Sequence, residues 1–175
     1  HIISCDRNID HQNVTHLTGQ TWWVGIKVLF NEKGHKFNNE ITFDYNDLAQ
    51  LTPPIEKLNR FSIITSNKAI WPGHKRRLKF VDELMKRSIS KHIDYFGGYH
   101  NHIDDKMDAL INYKYHIAIE NASVPDYWTE KLSDPLLGWC LPFYAGCPNI
   151  NDYFPNKSIQ NLNINDVSEA EDQMY

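Results

Sequence analysis

The stretch YKYHIAIENASVPDYWTEKLSDPLLGWCLPFYAGCPNINDYFP, residues 113–155, decides the fold of this chain. Its apolar segment at 115–120 predicts a buried strand. A polar loop follows, then an amphipathic segment at 129–137 that predicts a helix, and then a second apolar segment at 141–144. A strand, a helix and another strand in this order are typical of an α/β domain with a parallel sheet.

The sequence on both sides of this stretch continues the alternation of strands and helices. Apolar segments predict further strands at 61–65, 92–96 and 158–164. Helical periodicity predicts helices at 75–88 and 104–113. We therefore expect residues 59–175 to form an α/β domain with a Rossmann-like parallel sheet and helices on both faces. Sheets of this kind bind ligands outside the carboxyl ends of their strands.

Residues 1–58 give a weaker pattern. The segment 22–30 predicts one strand, a charged and asparagine-rich stretch follows it, and Pro53 and Pro54 mark a turn. We interpret this part as a partial segment of a larger N-terminal unit, because 58 residues are too few for a full Rossmann domain.

Composition narrows the classes of function. The 175 residues carry a formal net charge of −4, and they lack the clustered basic face that nucleic-acid binding requires. No run of 18 apolar residues is present, so we expect no membrane-spanning segment. Cys5, Cys140 and Cys147 lack the spacing of a metal site and predict free thiols in a reducing compartment. We expect a cytoplasmic protein of the bacterial type, with peripheral association at the inner face of the membrane through segments outside this sequence.

Arg77 stands out on the predicted helix 75–88. On the helical wheel it falls inside the apolar stripe formed by Leu78, Val81, Leu84 and Met85. An arginine on the inward face usually has an anionic partner, because an unpaired buried charge is costly. The alternative is that its side chain reaches the surface or pairs with a structural carboxylate.

The segment 120–131 gives the densest indication of a site. A buried strand ends at Glu120, and a helix is expected to start near 126–129, so this turn lies at the carboxyl edge of the sheet. The N–H groups at a helix start attract anions, and Lys131 adds a full positive charge. Asn121 can donate and accept hydrogen bonds at the same place. This arrangement suits a diphosphate, although Asp126 and Thr129 are also ordinary helix caps.

A polar cluster outside the segment 120–131 has the residue types of a metal site. It consists of His100, His102, Asp104 and Asp105, and on a strand the two histidines would share a face. No further pair of ligands with a recognised spacing accompanies them. We therefore favour a polar loop in which Asp104 caps the next helix, and we predict no metal site.

Several separated motifs together resemble one enzyme family. Residues 113–155 closely resemble the hallmark block of the α1,3/4-fucosyltransferases, glycosyltransferase family 10. That block has an aromatic-rich strand, Glu-Asn, a loop, Tyr-x-Thr-Glu-Lys, and then a strand and a Gly-x-Pro turn. Upstream, the motifs 65–67, Arg77-x-x-Phe80 and 93–97 follow in the family's order. The resemblance covers about residues 60–168.

This resemblance implies a fold, a reaction and a set of site residues. It implies the donor-binding half of a GT-B glycosyltransferase, with residues 1–58 on the acceptor side. The implied reaction is an inverting transfer of fucose from GDP-fucose to a hydroxyl of a GlcNAc-type or Glc-type acceptor oligosaccharide, in protein glycosylation or lipopolysaccharide synthesis. The implied donor-binding residues are Arg77, Asn121, Tyr127, Glu130 and Lys131. No cofactor is required, although divalent cations stimulate some members of the family.

Two features depart from the family pattern. Pro135 lies inside the predicted helix, where it either kinks the helix or starts a second one with Asp134 as its cap. The family takes its catalytic base, a glutamate in a Gly-Glu-Asn context, from the N-terminal domain, and no such motif precedes residue 60. The general base therefore stays unassigned in this chain. The alternative function is a non-catalytic or differently specific module that binds a GDP-sugar or a carbohydrate on the same scaffold.

Overall fold

The computed structural model describes residues 2–17, 22–30, 36–98 and 100–175. In chain order the strands are β1 (Ile2–Ser4), β2 (Val14–His16), β3 (Ile26–Phe30), β4 (Lys36–Ile41), β5 (Leu58–Ile64), β6 (Ile93–Phe96), β7 (Tyr113–Ile119), β8 (Leu141–Ala145) and β9 (Gln160–Asn161). The α-helices are α1 (Tyr45–Gln50), α2 (Pro72–Leu84), α3 (Glu130–Leu137) and α4 (Val167–Met174).

A five-stranded parallel sheet organises the C-terminal part of the chain. Its spatial order is β6-β5-β7-β8-β9, so the chain leaves β5 toward one edge and then returns to its other side with β7. The order therefore reverses between β5 and β7. In doubly wound sheets, the crevice at such a reversal is where ligands bind.

Helices cover both faces of this sheet, as the sequence predicts. On one face, Ile63 and Ile117 pack against Phe80 and Leu84 of α2, and α4 joins the same cluster. On the other face, Ala118 and Tyr144 pack against Leu132 of α3. Alternate side chains of a strand point to opposite faces, so β7 contributes to both clusters.

The N-terminal part is more structured than its sequence suggested. The strands β1 and β2 pair in parallel, and β3 and β4 form an antiparallel pair. Val24 and Leu48 pack into a third apolar cluster with Met107, Leu110 and Tyr113 of the C-terminal part. Whether the domain boundary lies at 58 stays a prediction.

Several predicted boundaries were wrong. The strand expected at 22–30 begins at Ile26, because Gly25 adopts a positive φ of 76° in a turn. The helix expected at 104–113 is only a short 3-10 turn, Lys106–Ala109, and the strand expected at 158–164 is Gln160–Asn161 alone. The helix expected at 75–88 is α2, which starts earlier at Pro72 and leaves Met85 44% exposed.

The proline inside α3 neither breaks the helix nor starts a second one. Pro135 lies within the continuous helix Glu130–Leu137. Asp134 is therefore not a helix cap, and its buried carboxylate instead accepts hydrogen bonds from the backbone N–H groups of Trp23 and Val24 at 2.7 and 3.3 Å. In the described part of the chain, no helix combines the length and the apolar character needed to cross a lipid bilayer.

Candidate functional site: a cation-lined cavity at the sheet edge

A cavity of about 460 Å³ opens where the sheet order reverses. The ends of β5 and β7, the first turns of α2 and α3, and the segment that contains Lys106 and Leu110 form its walls. The polar lining comprises Thr65, Ser66, Lys68, His74, Arg77, Lys106, His116, Asn121, Glu130, Lys131 and Asp134.

Arg77 is buried in this cavity wall, and its hydrogen-bond partners among the described residues are all neutral. It is 5% exposed, and its Nη1 donates to Oδ1 of Asn121 at 2.6 Å. Its Nη2 donates to the carbonyl oxygen of Ser66 at 3.1 Å, while its Nε is buried without a partner in the described part of the chain. Burial lowers the pKa of Arg77, but a guanidinium stays charged in proteins. A buried cation with neutral partners favours binding of an external anion.

A glycine fixes the contact between α2 and the loop after β7. A Cβ atom placed on Gly73 would lie 1.6 Å from the carbonyl oxygen of Asn121. No side chain fits in that space, so the first turn of α2 lies directly against Asn121. This close approach sets the position of Asn121 relative to Arg77, which follows on the same helix.

Glu120 anchors the start of α3 to the end of β7. It is 1% exposed, and its Oε1 accepts from the backbone N–H of Thr129 at 2.8 Å and from the Thr129 hydroxyl at 2.9 Å. Burial raises the pKa of Glu120, while Lys131, 3.7 Å away, opposes that rise. Thr129 in turn caps α3, because its hydroxyl accepts from the N–H of Lys131.

Charges of alternating sign run along the wall formed by α3. Glu130 lies 3.1 Å from Lys131 and 3.7 Å from Lys106, which also contacts Asp134 at 2.8 Å. Burial would raise the pKa of Glu130, but Lys106 and Lys131 outweigh it and lower that pKa. Glu130 is therefore a carboxylate acceptor that faces the cavity.

Three cationic side chains lie near His74 in the cavity lining. Burial lowers the pKa of His74, and so does the proximity of Arg77, Lys68 and Lys131. His74 lies in the first turn of α2, where its Nδ1 accepts from the backbone N–H of Trp71 at 3.3 Å. Cations that cluster around a neutral histidine are suited to a ligand with more than one negative charge.

Four of the five residues predicted to bind a donor meet in this cavity. Arg77, Asn121, Glu130 and Lys131 all line it, whereas Tyr127 is not among its lining residues. Tyr127 is half-buried on the loop before α3, where burial raises the pKa of its hydroxyl. The donor-binding role of each of the five residues stays a prediction.

The loop that carries Tyr127 is held by Asp126, which is not a helix cap. Asp126 has a positive φ of 64°, and its backbone N–H donates to Oδ1 of Asn149 at 2.8 Å. Its carboxylate accepts from Nδ2 of Asn149 at 2.9 Å and from the Tyr153 hydroxyl, and it forms an ion pair with Arg7 at 2.9 Å. These contacts offset the cost of the left-handed backbone.

Several polar residues of the cavity are not among the site residues predicted from the sequence, including Lys106, His116 and Asp134. The sequence predicts Lys106 on a helix and His116 on a buried strand, and it places Asp134 either inside a kinked helix or at the cap of a second one. His116 is 5% exposed, and its Nδ1 lies 2.8 Å from the Ser62 hydroxyl. A histidine and a serine in otherwise apolar strands were the only signals of this pair.

The structure separates the cluster that raised the metal hypothesis. His100 packs against the ring of Tyr95, and His102 contacts Asp104 at 3.1 Å on the surface. Asp105 points inward and accepts from the backbone N–H of Gly25 and the Thr42 hydroxyl. Among the described residues, no three His, Cys, Asp or Glu side chains converge as metal ligands would.

The fold and the cavity together define a Rossmann-like domain with a cation-lined cavity at the edge of its sheet. Comparison with known proteins identifies its family. The sequence model described as glycosyltransferase family 10 (fucosyltransferase), C-terminal, matches residues 56–173. The chain therefore belongs to glycosyltransferase family 10.

Relatives from plants and animals agree with this assignment. The chain is 33% identical over 115 residues to a putative fucosyltransferase-like protein of Arabidopsis thaliana, a match that covers 64% of this chain and 21% of the relative. It is 53% identical over 47 residues to alpha-(1,3)-fucosyltransferase B of Drosophila melanogaster, a match that covers 27% of this chain and 11% of the relative. It is 48% identical over 97 residues to GDP-fucose protein O-fucosyltransferase 3 of Xenopus tropicalis, a match that covers 47% of this chain and 20% of the relative.

Solved structures match the fold. An alpha1,3-fucosyltransferase with GDP-fucose superposes with a TM-score of 0.54 at 25% identity, over 72% of this chain and 36% of that chain. A solved structure of alpha1,3-fucosyltransferase with GDP superposes with a TM-score of 0.55, again over 72% of this chain and 36% of that chain. The predicted fold, the Rossmann-like sheet of a GT-B fucosyltransferase, is confirmed. The chain spans only about a fifth of the first relative and about a third of these structures.

Proposed function

We propose that this chain binds GDP-fucose in the cavity between β5 and β7, and that the protein containing it transfers fucose to an acceptor hydroxyl. The observation that carries the proposal is Arg77. Among the residues that the structure describes, its buried guanidinium has neutral hydrogen-bond partners and its Nε has none, so a diphosphate would supply the missing negative charge.

The surrounding groups fit a nucleotide diphosphate. Lys131 lies in the first turn of α3, an eight-residue helix whose N-terminus faces the same cavity. Because Oδ1 of Asn121 accepts from Arg77, its amide nitrogen can donate to a phosphate oxygen. Glu130 can accept from sugar hydroxyls, and Tyr127 would join the site through the loop that follows Asn121.

These groups also suit the chemistry of fucose transfer. The transition state is oxocarbenium-like, and negative charge grows on the departing GDP. Arg77, Lys131 and the start of α3 would neutralise this charge, and losing one such donor typically costs about 10²–10³ in rate. We therefore expect no obligatory metal, while stimulation by a divalent cation remains compatible with the proposal.

The finer points of the reaction are also proposals. We propose an inverting transfer, which requires a general base close to the acceptor hydroxyl, and no residue of this chain is assigned that role. The first acceptor candidate is an oligosaccharide of the GlcNAc or Glc type. The second is a protein hydroxyl, because the Xenopus tropicalis relative, 48% identical over 97 residues, is named a GDP-fucose protein O-fucosyltransferase. The cytoplasmic location stays a prediction.

The test has a binding arm and a transfer arm. Isothermal titration calorimetry should show GDP and GDP-fucose binding to this chain, with GDP-mannose competing weakly. Transfer from labelled GDP-fucose should then be assayed with the full-length protein, on a GlcNAc-terminated oligosaccharide and on a folded protein domain in parallel. A folded chain that fails to bind millimolar GDP would refute the proposal. Donor binding without transfer or donor hydrolysis would favour the non-catalytic binding module.

A further inference from the structure

The cavity is deeply buried at one end and open at the other. Ile70 and Trp71 line its mouth and are 71% and 65% exposed. Leu110 and Asp134 line its inner end and are 0% and 2% exposed. Arg77 lies at the level where the strands end, because it contacts Asn121, two residues beyond β7.

The direction of the inner end follows from helix and strand geometry. Asp134 lies four residues into α3, about 6 Å along the helix axis from its start. His116 lies three residues before the end of β7, about 10 Å below the sheet edge. The inner end therefore extends down the face of the sheet, whereas Ile70 and Trp71 belong to the loop above the edge.

A nucleotide sugar has its diphosphate in the middle of the molecule. This step rests on the proposed function, in which the diphosphate lies at Arg77 and Lys131. The acceptor must reach the anomeric carbon of the sugar from solvent, so the sugar belongs at the open mouth. The nucleoside then extends toward the closed end.

We propose that Trp71, together with Ile70, contacts the C6 methyl group of fucose and makes the site selective for a 6-deoxy sugar. Both side chains are apolar and exposed, although the rest of the mouth is cationic or polar. Fucose differs from L-galactose only in carrying a methyl group in place of a hydroxymethyl group at C5. Contact with apolar side chains favours the methyl group, whereas the additional hydroxyl would lose water to the same contact without gaining a hydrogen bond.

The first turn of α2 fixes the backbone of Trp71 relative to Arg77. Trp71 directly precedes α2, Pro72 occupies its first turn, and the backbone N–H of Trp71 donates to Nδ1 of His74. Arg77 follows on the same helix, and one helix turn advances about 5.4 Å. The residue proposed to hold the phosphate therefore lies on α2, and the residue proposed to contact the sugar lies at the N-terminal cap of the same helix.

The test compares donors that differ only at C6. Calorimetry on this chain should measure Kd for GDP, GDP-fucose, GDP-L-galactose, which carries a 6-hydroxyl, and GDP-D-arabinopyranose, which lacks C6. Burying one methyl group favours binding about fourfold. We expect GDP-fucose to bind at least about fourfold more tightly than either analogue. In Trp71→Ala the ratio of the Kd for either analogue to the Kd for GDP-fucose should fall toward one, while the Kd for GDP changes less than twofold.

The control is Trp139→Ala, since Trp139 is 46% exposed but lies outside the cavity lining. It should keep the full preference. If Trp71→Ala and Ile70→Ala both retain the wild-type preference while GDP still binds, the inference is wrong and the proposed function stands. An equal loss for all four ligands, GDP included, would also overturn it. If wild type does not bind GDP at all, the proposed function fails, and the inference fails with it.

Discussion

The guanidinium of Arg77 donates to the side-chain oxygen of Asn121 across 2.6 Å, although 44 residues separate the two in sequence. This contact joins α2 to the loop after β7 at the point where the sheet order reverses. It orients the guanidinium at the sheet edge, and it leaves the amide nitrogen of Asn121 for a ligand.

Replacing Arg77 should weaken binding of the diphosphate more than binding of the nucleoside. We expect Arg77→Ala to raise the Kd for GDP about 10- to 100-fold, because a hydrogen bond to a charged group contributes about 1.5–3 kcal/mol. The Kd for guanosine should change far less, since guanosine has no phosphate. Lys131→Ala should behave in the same way, and calorimetry with both ligands measures the difference.

Lys79→Ala is the matched control for this experiment. Lys79 lies on the same helix, but its side chain is 77% exposed and lies 3.8 Å from Glu83. It should leave both affinities unchanged. Equal losses for GDP and guanosine in Arg77→Ala would contradict a phosphate role for this arginine.

Gly73→Ala should impair the site despite the better helix propensity of alanine. Alanine stabilises an exposed helix interior by about 1 kcal/mol relative to glycine. At position 73, however, the new Cβ would lie 1.6 Å from the backbone oxygen of Asn121, so α2 and the loop must separate. We expect a lower urea midpoint and a weaker affinity for GDP. Lys75→Ala, an exposed change two residues further along α2, should preserve both the midpoint and the affinity. A Gly73→Ala protein with the midpoint and affinity of wild type would refute the close approach.

The fold was largely predictable because its strongest signals are local. The run Ile117–Ile119 is apolar on both faces of β7, a pattern typical of a strand that is covered on both sides. Boundaries were less predictable, since turn geometry at Gly25 and the brevity of β9 depend on tertiary packing. The pairing of β1 with β2 was not predictable, because three-residue strands carry too little periodicity.

The site was predictable where a motif or an inward-facing charge marked it. The helical wheel places Arg77 as a cation within an apolar stripe, and the predicted start of the helix places Lys131 as a cation in its first turn. Lys106 and Asp134 could not be predicted, because their 2.8 Å ion pair joins two segments 28 residues apart that only the folded chain brings together. Tyr127 followed from the family resemblance alone.

Glu120→Gln should destabilise the junction between β7 and α3. The Glu120 carboxylate accepts from both the N–H and the hydroxyl of Thr129, whereas a glutamine amide group would turn donors toward that hydroxyl or toward Lys131. We expect a loss of about 1–3 kcal/mol in the free energy of unfolding, measured by urea denaturation. The exposed Glu56→Gln is the control and should stay within about 0.5 kcal/mol of wild type. Equal midpoints for Glu120→Gln and wild type would show that Glu120 is not an anchor.

Stability should fall in acid because of His116. Burial, and to a lesser extent Lys106, lowers the pKa of His116 to about 3 in the folded protein. The unfolded chain, with a histidine pKa near 6.5, takes up a proton that the folded protein excludes. The free energy of unfolding should therefore decrease as pH falls from about 6.5 toward 3, by up to about 1.4 kcal/mol per pH unit from this group.

Urea denaturation of wild type and His116→Asn at pH 7.5, 6.0 and 5.0 isolates this contribution. Other titrating groups, including Glu120 and Asp134, act in both proteins and cancel in the difference. Asparagine can still bond the Ser62 hydroxyl but takes up no proton, so the stability gap between the two proteins should narrow as pH falls. The surface change His102→Asn, at a side chain that is 73% exposed, should keep the wild-type slope. Parallel curves for wild type and His116→Asn would mean that the folded protein protonates His116 as readily as the unfolded chain does.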